Sequence, residues 1–569
     1  MPKTNPYTIL SIGPIYDTMQ IADNTRAVWT ASYIFSYIMQ TTIINVRSYL
    51  MEEYKKSEET EKDYLKKHFV VPSANADFIR SGNRVGLFHD RLILKGEHAK
   101  CVNIAFKKAV DDLTNVVLQA FEYASSKKYV KLRYEETKVK KFIKGYFHSY
   151  IAQVELKDDD NPILELSKYV DTIEYEPRLA LHEDKEYLFY FFRVANLALT
   201  KHFAFFTDAD DNEKNRCFKS LPEIAAWEHT KEWAKRKEYF CLTIDKLEAR
   251  AKAEKSLEDD AEDIYAALKT DFGKALKPYH KYIAIVHADG DAFGKYLEKI
   301  GSDEKEIQSF SDNIFKFSRD AAGIIESGGG LPIVAGGDDL VFFAPVVCGE
   351  DNIFTLINEI DKKFRTYFDD DTLSMSYGVS ITYYKYPLQE AMELSAKALW
   401  DEAKETKWVK RWCFENHPQI PDASKAKNAI HLNIQKHSGQ SHSLTLHKDT
   451  ELYTQFITLL SQELDAKDTL HLPHALHHSL DRVATVIDKM PVDNIEHFFT
   501  NMFNENVHKS AHQEALEAIQ KILRLLKEDE TAQAIHRVYT DDNGKEYIKN
   551  PSKTIFSILA TIKMLRGDA

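Results

Sequence analysis

Two short stretches constrain this chain more than anything else in it: KYIAIVHADGDAFG, starting at Lys281, and LPIVAGGDDLVFF, starting at Leu331. Each is an apolar run that ends in acid, Asp289 and Asp291 in the first and Asp338 and Asp339 in the second. Lys281 to Ala288 alternates and then runs apolar, which predicts a buried strand. Leu331 to Ala335 and Leu340 to Val346 are two further apolar runs, broken only by Gly336-Gly337-Asp338-Asp339. Glycine at that break supplies the positive φ a tight hairpin turn requires. With the Asp289 strand beside this hairpin, three or four carboxylates converge, an arrangement strongly unfavourable unless cations neutralise it. Two hard divalent ions about 4 Å apart on carboxylates are the usual apparatus for displacement at a phosphate. The bland alternative is a plain hairpin turn and a helix N-cap. Coupling GGDD to a strand ending in DGD favours the catalytic reading, a metal-dependent nucleotidyl transfer.

The order of segments points the same way. Phe293 to about Glu326 is helical in pattern, interrupted at Gly301-Ser302-Asp303, and Asn352 to Phe368 is a second amphipathic helix. Leu373 to Tyr384 reads as a fourth strand, giving β-α-β-β-α-β, the ferredoxin-like arrangement, with the acids on its two central strands. Pro387 then opens another helix, with proline at the first turn where its missing N–H costs nothing.

At 569 residues the chain is too long for one core, so several domains are expected. Tyr7 to Ile12 reads as a strand broken by Gly13-Pro14, a long aromatic helix follows, Arg84 to Leu94 is strand-like, and Ala99 to Ser126 is helical. This repeats the β-α logic without a GGDD equivalent, as in a duplication where only the second copy kept its acids. From Thr207 to Tyr279 the composition turns to charged, Ala- and Lys-rich helix. After Trp408 comes a loop (Asn416 to Ala426) and then a strongly helical tail, with LYTQFITLLSQEL and EALEAIQKILRLLKE as amphipathic helices. The expected fold class is α+β: two ferredoxin-like palm domains with a helical connector and a C-terminal helical bundle. The expected domains are 1–206 (first palm, without metal acids), 207–279 (connector), 280–410 (second palm) and 411–569 (helical).

Five scattered cysteines (Cys101, Cys217, Cys241, Cys348, Cys413) form no CxxC pair, which argues against disulfides and a structural zinc. The opening MPKTNPYTILSIGPIYD lacks the apolar core of a signal peptide, and no apolar run reaches the roughly eighteen residues of a membrane span. The expectation is a cytoplasmic protein with no membrane partner. A formal charge of −13 disfavours unaided RNA binding through phosphates. The local run Lys127, Lys128, Lys131, Arg133, Lys138, Lys140, Lys141 and Lys144 reads as a solvated helix face. The stretch HLPHALHHSLDR, with His471, His474, His477 and His478, has no acid in a metal-binding motif and is read as metal-free.

These residues resemble a family, the large polymerase-cyclase subunit of type III CRISPR RNA-guided complexes, in its III-B (Cmr) branch. SIGPIYDTMQIADNTRAVWTASYIFSYI is similar to the branch's N-terminal signature; HADGDAFG, AGGDDLVFF, SMSYGVSI and the helix ending DEAK are similar to its second palm. KSLPEIAAW resembles an inter-palm phrase, and KNAIHLNIQKHSG the segment opening the C-terminal helical domain. The resemblance implies two palms clasping a pair of nucleotides, with ATP converted to a signalling nucleotide when the complex senses target RNA. It implies Asp289, Asp338 and Asp339 as catalytic ligands of two Mg2+ or Mn2+ ions, with Asp291 a fourth acid or an N-cap. It implies Gly290, Gly336, Gly337, Ser376 and Lys404 around the nucleotide. Asp17, Arg26, Trp29 and Ser32 are candidates for the second substrate, although Trp29, Tyr33 and Tyr37 at helical spacing read equally as core. The acceptor is a second ATP, or a metabolite such as S-adenosylmethionine. Partners are the other subunits, guide RNA and target RNA. No room precedes the first palm signature for the family's HD nuclease domain, and His89-Asp90, the only such dipeptide, is expected inside a palm strand. Cys217 and Cys241 alone cannot complete the family's inter-palm zinc site. The rivals are a non-catalytic scaffold of such a complex, and a stand-alone cyclic-dinucleotide synthase, which normally carries GGD(E/D)F where Leu340 stands here.

Overall fold

The computed structural model describes residues 4–55, 60–73, 85–126, 134–174, 186–199, 219–236, 266, 268–404, 427–465, 482–502, 513–528, 538–540, 546–548 and 551–567. Cys217, Cys241, Cys413, the histidines from His471 to His478, the loop 416–426, most of the connector and the first half of the basic run lie outside the described residues.

In the N-terminal half, β1 (Thr4–Gly13), β2 (Phe69–Val71), β3 (Arg91–Lys95) and β4 (His148–Lys157) form one antiparallel sheet in the order β2-β3-β1-β4. Between β1 and β2 run α1 (Ile15–Met19) and the long α2 (Thr25–Tyr54), and between β3 and β4 runs α3 (Ala99–Ser126). That order and connectivity are ferredoxin-like. Asn24 starts α2 by accepting the Ala27 N–H at 3.0 Å, the usual device for an orphan donor in the first turn.

The second sheet contains β5 (Tyr282–Asp291), β6 (Leu331–Gly336), β7 (Asp339–Pro345), β10 (Ser374–Tyr383), β11 (Ala429–Gln435) and β12 (Ser441–His447), in the order β12-β11-β10-β5-β7-β6. A two-residue pair, β8 (Val347–Cys348) and β9 (Asp351–Asn352), stands apart. The β10-β5-β7-β6 portion is ferredoxin-like again, with α4 (Glu304–Ser327) and α5 (Ile353–Tyr367) as its crossovers. Asp303 caps α4 and Asn352 caps α5, each accepting two backbone N–H groups, so both helices begin where the sequence places an Asx residue. β5 and β10 are both buried along nearly their whole length; in β5 this matches the apolar run Tyr282–Val286, whereas β10 alternates small residues (Ser374, Ser376, Gly378, Ser380, Thr382) with large apolar ones.

Two expectations fail. Residues 85–90 are not strand; β3 begins only at Arg91. The chain after Lys427 does not turn directly helical: AIHLNIQ, alternating and partly β-branched, lies parallel against β10 and widens the second sheet. Beyond it the helices Glu451–Asp465, Gln513–Glu528 and the largely buried Pro551–Arg566 pack together, and a short antiparallel pair, Val538–Thr540 with Glu546–Ile548, interrupts the expected helical tail. Lys448 pairs with Asp361 and lies over the Tyr377 ring at 4.6 Å, tying the end of β12 to α5 and β10.

The two palms share one continuous core. Ser32 in α2 donates to the Ile333 carbonyl at 2.9 Å, the Ala335 N–H donates to the Gly86 carbonyl at 3.3 Å, and Gly86 bridges Val334. Asn161 donates to the Leu297 and Gly301 carbonyls at 2.9 and 2.6 Å. Beneath β5 and β7 sits the helix Leu221–Ala225, with Trp227–Arg236 packed against it. Lys219 anchors them by donating to the Gly329 and Gly330 carbonyls at 3.0 and 3.2 Å, with its ammonium 3.6 Å from the centre of the Trp227 ring.

Candidate active site

β5 and β7 are neighbours in the sheet, with Ala288 paired to Leu340, so the acids at the end of β5 meet those of the β6–β7 turn. Carboxylate oxygens of Asp289, Asp338 and Asp339 all lie within 4.8 Å of one another. The turn achieves this through Gly337, whose φ of +69° falls in the left-handed region. Gly290 clears the space between: a Cβ there would lie 1.9 Å from the Phe293 ring and 2.9 Å from the Asp338 Cβ.

The electrostatics show what such crowding costs. Burial raises the Asp338 carboxyl, with Asp291 adding to the shift and His89 opposing it. Crowding by surrounding protein, Asp338 and Asp90 together push Asp339 up to about 7. Asp339 itself opens to solvent. The donor set is all carboxylate oxygen, which suits hard divalent cations, and their charge would relieve the repulsion. The residues present therefore fit the implied metal site.

Asp291 stands slightly apart. Its Oδ2 accepts from the Ser374 hydroxyl (2.8 Å), the Ser376 hydroxyl (2.7 Å) and the Asn428 N–H (3.0 Å). Its buried Oδ1 has no hydrogen bond among the described residues, and the Lys404 ammonium is 3.7 Å from it. Ser376 is fully buried with its hydroxyl on Asp291, so it supports that acid and does not line a nucleotide surface. Lys404 also donates to the Gly290 carbonyl at 2.8 Å and contacts the Asp289 carboxylate. Burial and Lys427 push its ammonium down to about 7, while the adjoining Asp289 carboxylate acts in the opposite direction.

The second-substrate candidates separate on inspection. Trp29 is 2% exposed and stacks on Tyr33 at 4.6 Å, so it is core, as the helical spacing also allowed. Ser32 spends its hydroxyl on the palm–palm contact. Asp17 is exposed on α1. Arg26, at the start of α2, has a buried Nε with no hydrogen bond among the described residues, and burial lowers its guanidinium to about 10.

Sequence reading missed His89-Asp90. Instead of sitting in a strand, the dipeptide packs on the acidic turn: a Cβ on Gly336 would lie 3.2 Å from the His89 Cβ. Asp90 repels Asp339, and His89 attracts both Asp338 and Asp339. No local signal reveals this, since it depends on how the first palm docks. A second cluster, Glu228, His229 and His280, lies under the sheet. There the Lys277 N–H donates to His280 Nδ1 at 2.8 Å, so the neutral ring carries its proton on Nε2, 2.8 Å from Glu228. With Nδ1 so occupied, His280 itself offers no lone pair to a metal, while His229 Nε2 lies 3.1 Å from Glu228. In the basic run, Lys138, Lys140 and Lys144 pair with Glu135, Glu136 and Asp111 on an exposed face, as expected.

Residues 282–410 match the family model for the Cas10/Cmr2 second palm domain. The chain as a whole is similar in fold to solved chains from type III-B complexes. Over 99% of its length it superposes on 83% of a chain from the type III-B Cmr-beta complex bound to cognate target RNA, with TM-score 0.56 and 11% identity. A chain of the apo Cmr-beta complex gives TM-score 0.54 at 10% identity, covering 92% of this chain and 81% of that one. No curated protein sequence matches. Among the described residues, no helix is long and apolar enough to cross a membrane.

Proposed function

We propose that this chain is the nucleotidyltransferase subunit of a type III CRISPR RNA-guided complex, using ATP and divalent metal to make a signalling nucleotide. The observation that carries the reading is the convergence of Asp289, Asp338 and Asp339 at the end of two adjacent strands. The Cmr-beta neighbour bound to cognate target RNA supports the same setting: partner subunits, guide RNA and target RNA around this chain. The product is a cyclic oligoadenylate or AMP joined to another metabolite such as S-adenosylmethionine.

Asp289, Asp338 and Asp339 would hold the metals, which supply charge neutralisation at the phosphate and a lowered pKa for the attacking hydroxyl. Asp291, fixed by Ser374, Ser376 and Asn428, holds Lys404 at the rim of this group. Gly290 and Gly336 admit the Phe293 ring and His89 against the acidic turn, and Gly337 supplies its left-handed φ, so the three glycines shape the turn that presents the acids to a triphosphate. Lys404 exchanges its hold on Asp289 for a phosphate oxygen. Arg26, with an unsatisfied Nε and no acid among the causes of its shift, is suited to an anionic group of the acceptor. The palms supply alignment, worth several kcal/mol of barrier.

Lys404 on Asp289 is also what a scaffold with a retired active site would show. The two readings separate by mass spectrometry of products from labelled ATP in the target-RNA-activated complex. An adenylate-containing product, lost in D338A/D339A with assembly intact, supports the enzyme. No product from the wild type, or equal product from the variant, overturns it.

A further inference from the structure

Among the described residues, no packing role explains Trp400. It is 54% exposed, whereas large aromatics in this chain are mostly buried, and it sits in the stretch Ala398–Ala403, where the helix continuing from α6 (Leu388–Lys397) widens into a π-helix. Such widened turns re-aim side chains and recur at functional sites. The backbone here is held hard against the sheet: a Cβ on Gly378 of β10 would lie 2.2 Å from the Leu399 nitrogen and 2.3 Å from the Ser395 carbonyl oxygen. With Leu399 and Ala403 buried on that side, the indole is turned outward.

What lies beside it is the candidate active site. The Lys404 ammonium is 5.1 Å from the centre of the Trp400 ring and simultaneously touches Asp289 and the Gly290 carbonyl. One lysine side chain therefore spans from the indole to the carboxylates. An exposed aromatic face at one end of a cation, with acids at the other, matches a nucleotide whose phosphates sit on the acids and whose base lies on the ring.

We infer that Trp400 is the stacking platform for the purine base of the nucleotide whose phosphates engage the Asp289–Asp338–Asp339 site. The inference rests on the nucleotidyltransferase reading and names the residue that holds the base. Stacking tolerates any base but strengthens with ring size, so the platform favours purines over pyrimidines.

The test is intrinsic fluorescence of the full chain titrated with ATP and Mg2+, with inorganic tripolyphosphate as the baseless probe. ATP quenches the wild type, W400F loses that quench, and W400A binds ATP about tenfold more weakly, the usual scale of a lost stacking contact. Tripolyphosphate binds the wild type and W400A equally. Y169A, which removes another exposed aromatic, leaves ATP affinity unchanged. Unchanged ATP affinity in W400A, or a quench retained in W400F, overturns the platform and leaves the nucleotidyltransferase reading standing. Failure of the wild type to bind ATP overturns both.

Discussion

Gly290 and Gly378 are the residues whose replacement tests local geometry most sharply. Alanine at 378 would drive its Cβ into the Leu399 nitrogen and Ser395 carbonyl, both backbone atoms with nowhere to go. G378A is expected to cost about 3 kcal/mol or more, read as a lower urea midpoint. Alanine at 290 meets the Phe293 ring and the Asp338 Cβ, so G290A is expected to lose most of its nucleotide turnover as the acidic turn is displaced. At this scale Asp289, Asp338 and Asp339 were legible, because strand–acid and hairpin–acid patterns are local. Trp29 was not, since three- and four-residue spacing on α2 suits core and ligand surface alike, and only burial decides. His89-Asp90 was misread for a different reason: its place on the acidic turn is set by contacts between two palms, which no window of sequence contains.

Among elements, the short helix Leu221–Ala225 carries a pH-sensitive device. Ser220 starts it, and Glu223 closes the capping box by accepting the Ser220 N–H at 2.6 Å. Burial raises the Glu223 carboxyl from 4.5 to about 7, with its bonds to Ser220 and nearby Lys219 only partly opposing. An acid raised on folding binds its proton more tightly in the native state. Its contribution is therefore full below about pH 4.5 and is lost as pH rises through 7, by up to about 3 kcal/mol. E223Q keeps the acceptor without the charge, so its denaturant midpoint should fall less between pH 5 and 8 than that of the wild type; parallel curves would contradict this. The second palm's helices and strands were legible because Asp303, Asn352 and Pro387 mark their starts and their apolar runs are long. β11 was not, because seven residues that pair in parallel with β10 across an intervening segment carry no local sign of their partner.

For the whole molecule, the duplication visible in the sequence becomes two ferredoxin-like sheets with one core between them, and only the second bears the acids. Their mutual repulsion is a standing cost in the native state, so a divalent ion that binds there should stabilise the folded chain. At one hundred times its dissociation constant the gain is about 2.7 kcal/mol, absent in D338A/D339A. A thermal-unfolding series in Mn2+ checks it; equal shifts in both proteins would place the ion elsewhere. The most direct measurement is electron paramagnetic resonance of Mn2+ bound to the full chain with a non-hydrolysable ATP analogue. Two tightly held ions per wild-type chain, and loss of both from D338A/D339A, are the predicted result. Two ions retained by the variant, or none held by the wild type, would contradict the assignment of these acids.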